Sequence, residues 1–266
     1  MTIARVFIEQ EKQFGLNYAN FKQFIDSLIK SGLSHNEFDS QTHTLSTLGS
    51  LMCHSQQVAM EYTKQIFHII DEVDHISLKC QSLSILIDIL LVHGINIITT
   101  INLDNLTPSQ FLTAYFLNLF HEQNMEIKTI IVFGHMKLFL SSCLESTIKL
   151  LRIIFDYRFT NDHRSINKYE RNQITSFFYF FSHLSNSNVL LIEELTFDLI
   201  THCLPFISNN STIAYKSILT ESMSYFCIER LSLLTLPTEE CSHYNLAKNL
   251  LESIHTSTNN HTVCTI

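Results

Sequence analysis

Apolar residues recur along this chain with the period of an α-helix. Over residues 77–94, Leu83, Leu86, Ile87, Leu90 and Leu91 fall at i, i+3, i+4, i+7 and i+8, one continuous stripe. Ile85, Ile89 and Val92 supply a second stripe, so this helix is expected to be buried on two sides. Gly94 stands where a glycine C-cap is wanted. Thr107-Pro108 then reads as an N-cap followed by proline at the first helical position. Phe111, Leu112, Tyr115, Phe116 and Leu119 mark the helix it opens, packed through aromatic rings.

The same grammar recurs on both sides. Ser34-His35-Asn36-Glu37 has the form of a capping box and precedes Phe38, Leu45 and Leu48. Residues 125–140, 147–157, 166–184 and 189–204 carry helical spacing, with polar breaks at Asn161-Asp162-His163 and Ser185-Asn186-Ser187-Asn188. Further helices are predicted over 212–236 and 239–254. First helices of pairs begin near Ser34, Asp74, Asn124, Ser165 and Ser211, a spacing of about 40 to 50 residues that is expected of HEAT or armadillo units. The predicted fold is all-α: a HEAT/armadillo-type α-solenoid of ten to twelve helices stacked as antiparallel pairs. It forms one array over residues 1–256, followed by a disordered tail over 257–266.

Composition sharpens this picture. Five glycines and three prolines in 266 residues leave few of the breaks that punctuate strands and phosphate loops, while 45% hydrophobic residues are enough for a large core. The formal net charge of −8 disfavours wholesale coating of nucleic acid but leaves room for a local basic patch. Cys53, Cys80, Cys143, Cys203, Cys227, Cys241 and Cys264 are odd in number and form no CxxC pair. The first nine residues hold too short an apolar run for a secretory signal, and no apolar stretch is expected to reach the roughly 18 residues of a spanning helix. The chain reads as soluble and intracellular, with reduced thiols.

Candidate chemistry is sparse. Cys53-His54, His202-Cys203 and Cys241-Ser242-His243 are the closest metal-ligand types, but a structural zinc site needs four ligands, usually two close pairs. Adjacent helical residues also point about 100° apart, so no metal is expected. Asp71-Glu72-x-Asp74 lies at a predicted helix break, where acids suit the start of the next helix. Glu193-Glu194 is the other carboxylate group, and general acid/base work needs two carboxylates converging in a cleft, for which the sequence gives no sign. GxSxG, P-loop, GxGxxG and HExxH patterns are absent, so neither catalysis nor a cofactor is expected. Phe177-Phe178-Tyr179-Phe180-Phe181 runs right round a helix, so some of its rings must face neighbouring helices. The most informative stretch is basic. Lys149, Arg152, Arg158, Arg164, Lys168 and Arg171 lie within 23 residues that contain only Asp156, Asp162 and Glu170 as acids. This is either a solvated rim or an edge that contacts DNA phosphates without reading sequence.

Four segments in order carry a family resemblance. Leu78-Lys79-Cys80-Gln81-Ser82-Leu83-Ser84-Ile85-Leu86-Ile87-Asp88-Ile89-Leu90-Leu91-Val92-His93-Gly94 resembles the leucine-rich repeat that ends in Val-His-Gly in the C-terminal domain of the condensin subunit 3 family, the HEAT-repeat, non-SMC G-type subunits. Phe133-Gly134-His135-Met136-Lys137-Leu138-Phe139-Leu140 resembles that family's "EG..KLLL" helix, and Leu150-Leu151-Arg152-Ile153-Ile154-Phe155-Asp156-Tyr157 its next one. Glu170-Arg171-Asn172-Gln173-Ile174 with Phe177-Phe178 resembles its "LRQ…FF" helix. The likeness covers residues 45–207. Ser141-Ser142 stands in place of Gly-Arg, and Asp156-Tyr157-Arg158 in place of an aromatic-Asn-Pro turn.

The resemblance implies a scaffold in mitotic chromosome condensation, located in the nucleus on chromosomes with a possible cytoplasmic pool. Its implied partners are the kleisin subunit and, through the whole complex, the SMC subunits and DNA; it implies no membrane. ATP hydrolysis in that complex belongs to the SMC subunits. The family's main kleisin and DNA groove is built by more N-terminal repeats, so the chain is expected to be a piece or a short form. A HEAT or armadillo adaptor of another intracellular complex, in transport or phosphatase scaffolding, is the alternative.

Overall fold

The computed structural model describes residues 18–34, 37–101, 103, 105–121, 124–160 and 167–207. Among these residues there are nine α-helices, one 3₁₀ helix and no strand. The helices are α1 (Tyr18–Leu33), α2 (Phe38–His54), α3 (Gln56–Glu72), α4 (Ile76–His93), α5 (Pro108–His121), α6 (Met125–Leu140), α7 (Ile148–Thr160), α8 (Lys168–Leu184) and α9 (Asn186–Ile207). The 3₁₀ helix, Ile95–Thr100, lies between α4 and α5. The chain divides into two compact units, Met1–Glu145 and Ser146–Ile266. The helices predicted over 212–236 and 239–254 and the tail over 257–266 lie outside the described residues.

The first unit is a two-layer stack of helical hairpins. α1, α3 and α5 form one layer: Tyr62 of α3 donates to Asp26 Oδ1 of α1 at 2.7 Å, and Tyr115 of α5 donates to Asp71 Oδ1 of α3 at 2.8 Å. Phe67 of α3 also meets Tyr115 edge to face, 4.8 Å between centroids. α2, α4 and α6 form the other layer, with α4 between its two neighbours and also packed on α3. Contacts from one hairpin to the next join residues 35 to 52 positions apart, for example Ser46–Gln81, Asp26–Tyr62, Cys80–Glu126 and Leu91–Cys143. This range brackets the period of about 40 to 50 read from the sequence. Two close approaches fix the layer. A Cβ on Gly49 of α2 would sit 2.7 Å from Ile85 Cγ1, and one on Gly134 of α6 would sit 2.2 Å from Ile87 Cδ1. In the second unit α7, α8 and α9 pack against one another, with Phe155 against Phe178 and Phe177 stacked on Phe181 at 5.4 Å.

Local signals set the helix starts. Thr107 and Gln110 cap α5 reciprocally, the Gln110 N–H donating to Thr107 Oγ1 at 3.3 Å and the Thr107 N–H to Gln110 Oε1 at 3.0 Å. Asn167 and Glu170 form the same box on α8. Asn124 accepts from the N–H groups of Glu126 and Ile127 at the start of α6. Leu83, Leu86, Leu90, Phe116, Ile131, Leu151 and Phe178 are all buried, as the two stripes and their neighbours demand.

Several expectations are corrected. Ser34 caps nothing at α2, which starts at Phe38 behind Glu37 and has no side-chain cap; Ser34 sits in the turn that closes α1. The helix α3 follows α2 after a single extended residue, Ser55, within the polar run His54-Ser55-Gln56-Gln57 whose other three residues are helical. The break before α9 is likewise Ser185 alone, whose Oγ accepts from the Asn188 N–H at 3.1 Å. Asp71 and Glu72 end α3 and do not start α4, whose first turn holds no acid. Val92 is 57% exposed, so the second stripe of α4 ends at Ile89. At 18 residues α4 is long and apolar enough to cross a membrane by length and composition, contrary to the reading of the sequence, and it is packed between α2, α3 and α6.

Candidate nucleic-acid interface

The six cations of the basic stretch fall into different environments in the second unit. Lys149, at the start of α7, and Lys168, the first residue of α8, are exposed. Arg152 is half-buried, ion-paired to Asp198 of α9 and reaching Asp156 one turn along α7 at 3.6 Å. Asp156 is pushed above the usual carboxylate range by burial first, and next pulled back by Arg152. Arg158 crosses from α7 to α8, donating to Thr175 Oγ1 and to the Arg171 carbonyl. Arg171 is half-buried on α8, and Arg164 lies outside the described residues.

The geometry therefore sorts the stretch. Arg152 holds α7 to α9 and Arg158 holds α7 to α8, so both guanidinium groups are engaged in packing the helices. Lys149 and Lys168 remain directed to solvent. The acid that engages Arg152, Asp198, comes from 46 positions along the chain and carries no local sequence signal.

The aromatic run on α8 divides as its helical period requires. Phe177, Phe178 and Phe181 are buried, while Tyr179 and Phe180 face outward with Phe180 59% exposed. Tyr169, next to Lys168, is 70% exposed. The sequence alone could not tell which rings of the run face outward.

No group of three or more His, Cys, Asp or Glu side chains is placed to hold a metal among the described residues. Cys53 is half-buried at the end of α2, and the neighbouring His54 shares its Nδ1–H with the Ser50 carbonyl at 2.7 Å. His202 and Cys203 fall near the end of α9, and Cys241 and His243 lie outside the described residues. Burial and then the nearby Glu126 carboxylate push the Cys80 thiol up to about 11, so it stays protonated. His135 is fully buried on α6, with its Nδ1–H donated to the Ile131 carbonyl at 2.7 Å and its ring edge to face with Phe116 of α5. Burial lowers its pKa to about 4, opposed by that backbone hydrogen bond, so the ring is a neutral core residue at pH 7.

Comparison with curated proteins gave no match. The family model described as nuclear condensing complex subunits, C-terminal domain, matches residues 1–266, well beyond the stretch over which the four motifs were recognised. With its stacked helical hairpins and its Val-His-Gly repeat, the chain belongs to the C-terminal-domain family of nuclear condensing complex (condensin) subunits.

Proposed function

We propose that this chain is a non-catalytic HEAT-repeat scaffold of the condensin complex. It acts in mitotic chromosome condensation by contacting the kleisin subunit and, through the assembled complex, the SMC subunits and DNA. The family match over residues 1–266 carries this reading. The stacked hairpins support it, because repeats of this kind build extended side-chain surfaces suited to holding other proteins. Such a part works in the nucleus, on chromosomes.

Direct DNA contact in this reading falls to Lys149 and Lys168, with Arg164 and Arg171 as further phosphate partners. Arg152 and Arg158 contribute less, because moving them would break ion pairs and hydrogen bonds that pack α7 onto α8 and α9. Two to four phosphate contacts give a slope of log affinity against log salt of about −2 to −4, so binding is weak and indifferent to sequence.

The reading is tested with purified components. The chain and the kleisin subunit should co-elute in size-exclusion chromatography. A labelled duplex should bind the chain weakly at low salt, and the double change Lys149→Glu with Lys168→Glu should abolish that binding without altering the circular dichroism spectrum. Separate elution of chain and kleisin would overturn the scaffold reading. Absence of duplex binding at low salt, or unchanged binding by the double variant, would reduce the basic stretch to a solvated rim.

A further inference from the structure

The two seams beside α4 are built differently. The seam with α2 is closed along its length. Gln81 donates through Nε2 to the Thr42 carbonyl at 3.0 Å and to Ser46 Oγ at 2.6 Å, Ile85 lies over Gly49, and His93 reaches the Met52 carbonyl at the far end. The seam with α6 is tight below, where Ile87 meets Gly134, but open on its outer side. There a groove of about 220 Å³ is lined by Ser84, Asp88, Thr129, Ile130, Phe133 and Lys137.

Its chemistry is specific. The lips are short side chains whose hydroxyls donate to their own helices, Ser84 to the Cys80 carbonyl at 2.9 Å and Thr129 to the Met125 carbonyl at 2.7 Å. Ile130 and Phe133 are half-buried and give the groove apolar surface. α4 and α6 run parallel, since Cys80 meets Glu126, Ile87 meets Gly134 and Leu91 meets Cys143 in order. Asp88 lines the groove from the α4 wall and Lys137 from the α6 wall. Both are exposed, and no ion pair within 4.0 Å engages either one among the described residues.

We infer that this groove docks an extended segment of a partner protein, apolar where it meets Ile130 and Phe133 and carrying a basic side chain over Asp88. The inference rests on the scaffold reading and assigns that scaffold one contact surface. Charge selects the class of partner. Residues 1–145 hold 14 of the 25 acidic side chains and 8 of the 17 basic ones, and Glu126 stands near one end of the groove. A phosphate backbone is repelled there, whereas a peptide with a basic flank is attracted. The groove also offers a backbone one acceptor and one donor, Asp88 for an N–H and Lys137 for a C=O.

A photo-reactive benzoylphenylalanine at position 129, in the full chain within the purified complex, tests this. Assembly is checked separately by co-elution of the subunits. Adducts should concentrate in one stretch of another subunit that carries apolar residues and a Lys or Arg. Asp88→Lys, at an exposed position, should lower the adduct yield tenfold or more with the complex still assembled. Ser84→Arg, which fills the groove from the α4 lip, should do the same. Adducts scattered over unrelated sequences, confined to this chain or a second copy, formed on DNA, or unchanged in both variants would overturn the docking groove and leave the scaffold reading standing. A chain that never enters the complex would overturn both.

Discussion

His93 at the end of α4 donates from Nε2 to the main-chain carbonyl of Met52, 41 positions earlier, at 2.7 Å. That carbonyl lies in the last turn of α2, where helix geometry leaves carbonyl groups without intrahelical partners. One histidine of the second hairpin thus satisfies the end of the first. Val92 is exposed and Gly94 takes φ 79°, so the Val-His-Gly signature is a joint between repeats made by its last two residues.

Replacing His93 by Ala should therefore cost about 1 kcal/mol, the net worth of one half-buried hydrogen bond, with His93→Gln recovering part of it. Urea denaturation of the purified chain measures this. A change under about 0.3 kcal/mol would mean that water replaces the imidazole at no cost.

The central helix gives a sharper contrast. Leu86 and Leu90 have no exposed surface between α2, α3 and α6, whereas Val92 is largely in solvent. Leu86→Ala or Leu90→Ala should lose about 2 to 5 kcal/mol to lost contacts and a residual void, and Val92→Ala less than about 0.5 kcal/mol. Equal losses at the three positions in thermal or chemical unfolding would show that α4 is not held on both sides.

Why α4, α5 and α6 were legible and α3 was not follows from how each is bounded. Gly94, Thr107-Pro108 and Asn124 are local stop and start signals, and the structure places helix ends at each. Ser55 is the only residue between α2 and α3, serving as C-cap of one and N-cap of the other; the polar run His54-Ser55-Gln56-Gln57 marks the break, but three of its four residues are helical, so it does not read as a loop. Ser34 shows the reverse error: a capping pattern four residues ahead of Phe38 was real as sequence but lay on the turn out of α1. In the basic stretch the clustering of charge was visible, but the acid that binds Arg152 is on α9. Only tertiary packing distinguishes the arginines that join helices from the lysines that face solvent.

His135 gives the stability a pH dependence of known sign. Its folded pKa of about 4 is below the unfolded value of 6.5, so in between the unfolded chain binds a proton that the folded chain refuses. Stability contributed by this residue is intact above about pH 6.5, falls as pH drops through that window, and is lower by about 3 kcal/mol below pH 4. Its Nε2 has no hydrogen-bond partner among the described residues, so His135→Leu should be near neutral at pH 7 and should flatten the acid limb between pH 6.5 and 4. Parallel pH profiles for the two proteins would show that the ring is solvated in the folded state.

Ser142, where the family resemblance expects a Gly-Arg turn, has φ 56° just beyond α6. A side chain is disfavoured in that left-handed region and glycine is not, so Ser142→Gly should raise stability by up to about 1 kcal/mol. The Cys143 N–H to Leu138 carbonyl bond of 2.9 Å that closes this turn should persist. Destabilisation on thermal melting would indicate that the serine hydroxyl does more for the turn than its backbone strain costs.

Membership of a working condensin is the claim on which the functional account stands. It is measured most directly by purifying the tagged chain from dividing cells and identifying its partners by mass spectrometry. The account predicts the kleisin and both SMC subunits in near-equal amounts with the chain, retained at moderate salt. Recovery of the chain without any condensin subunit, or with a transport or phosphatase assembly in their place, would contradict it.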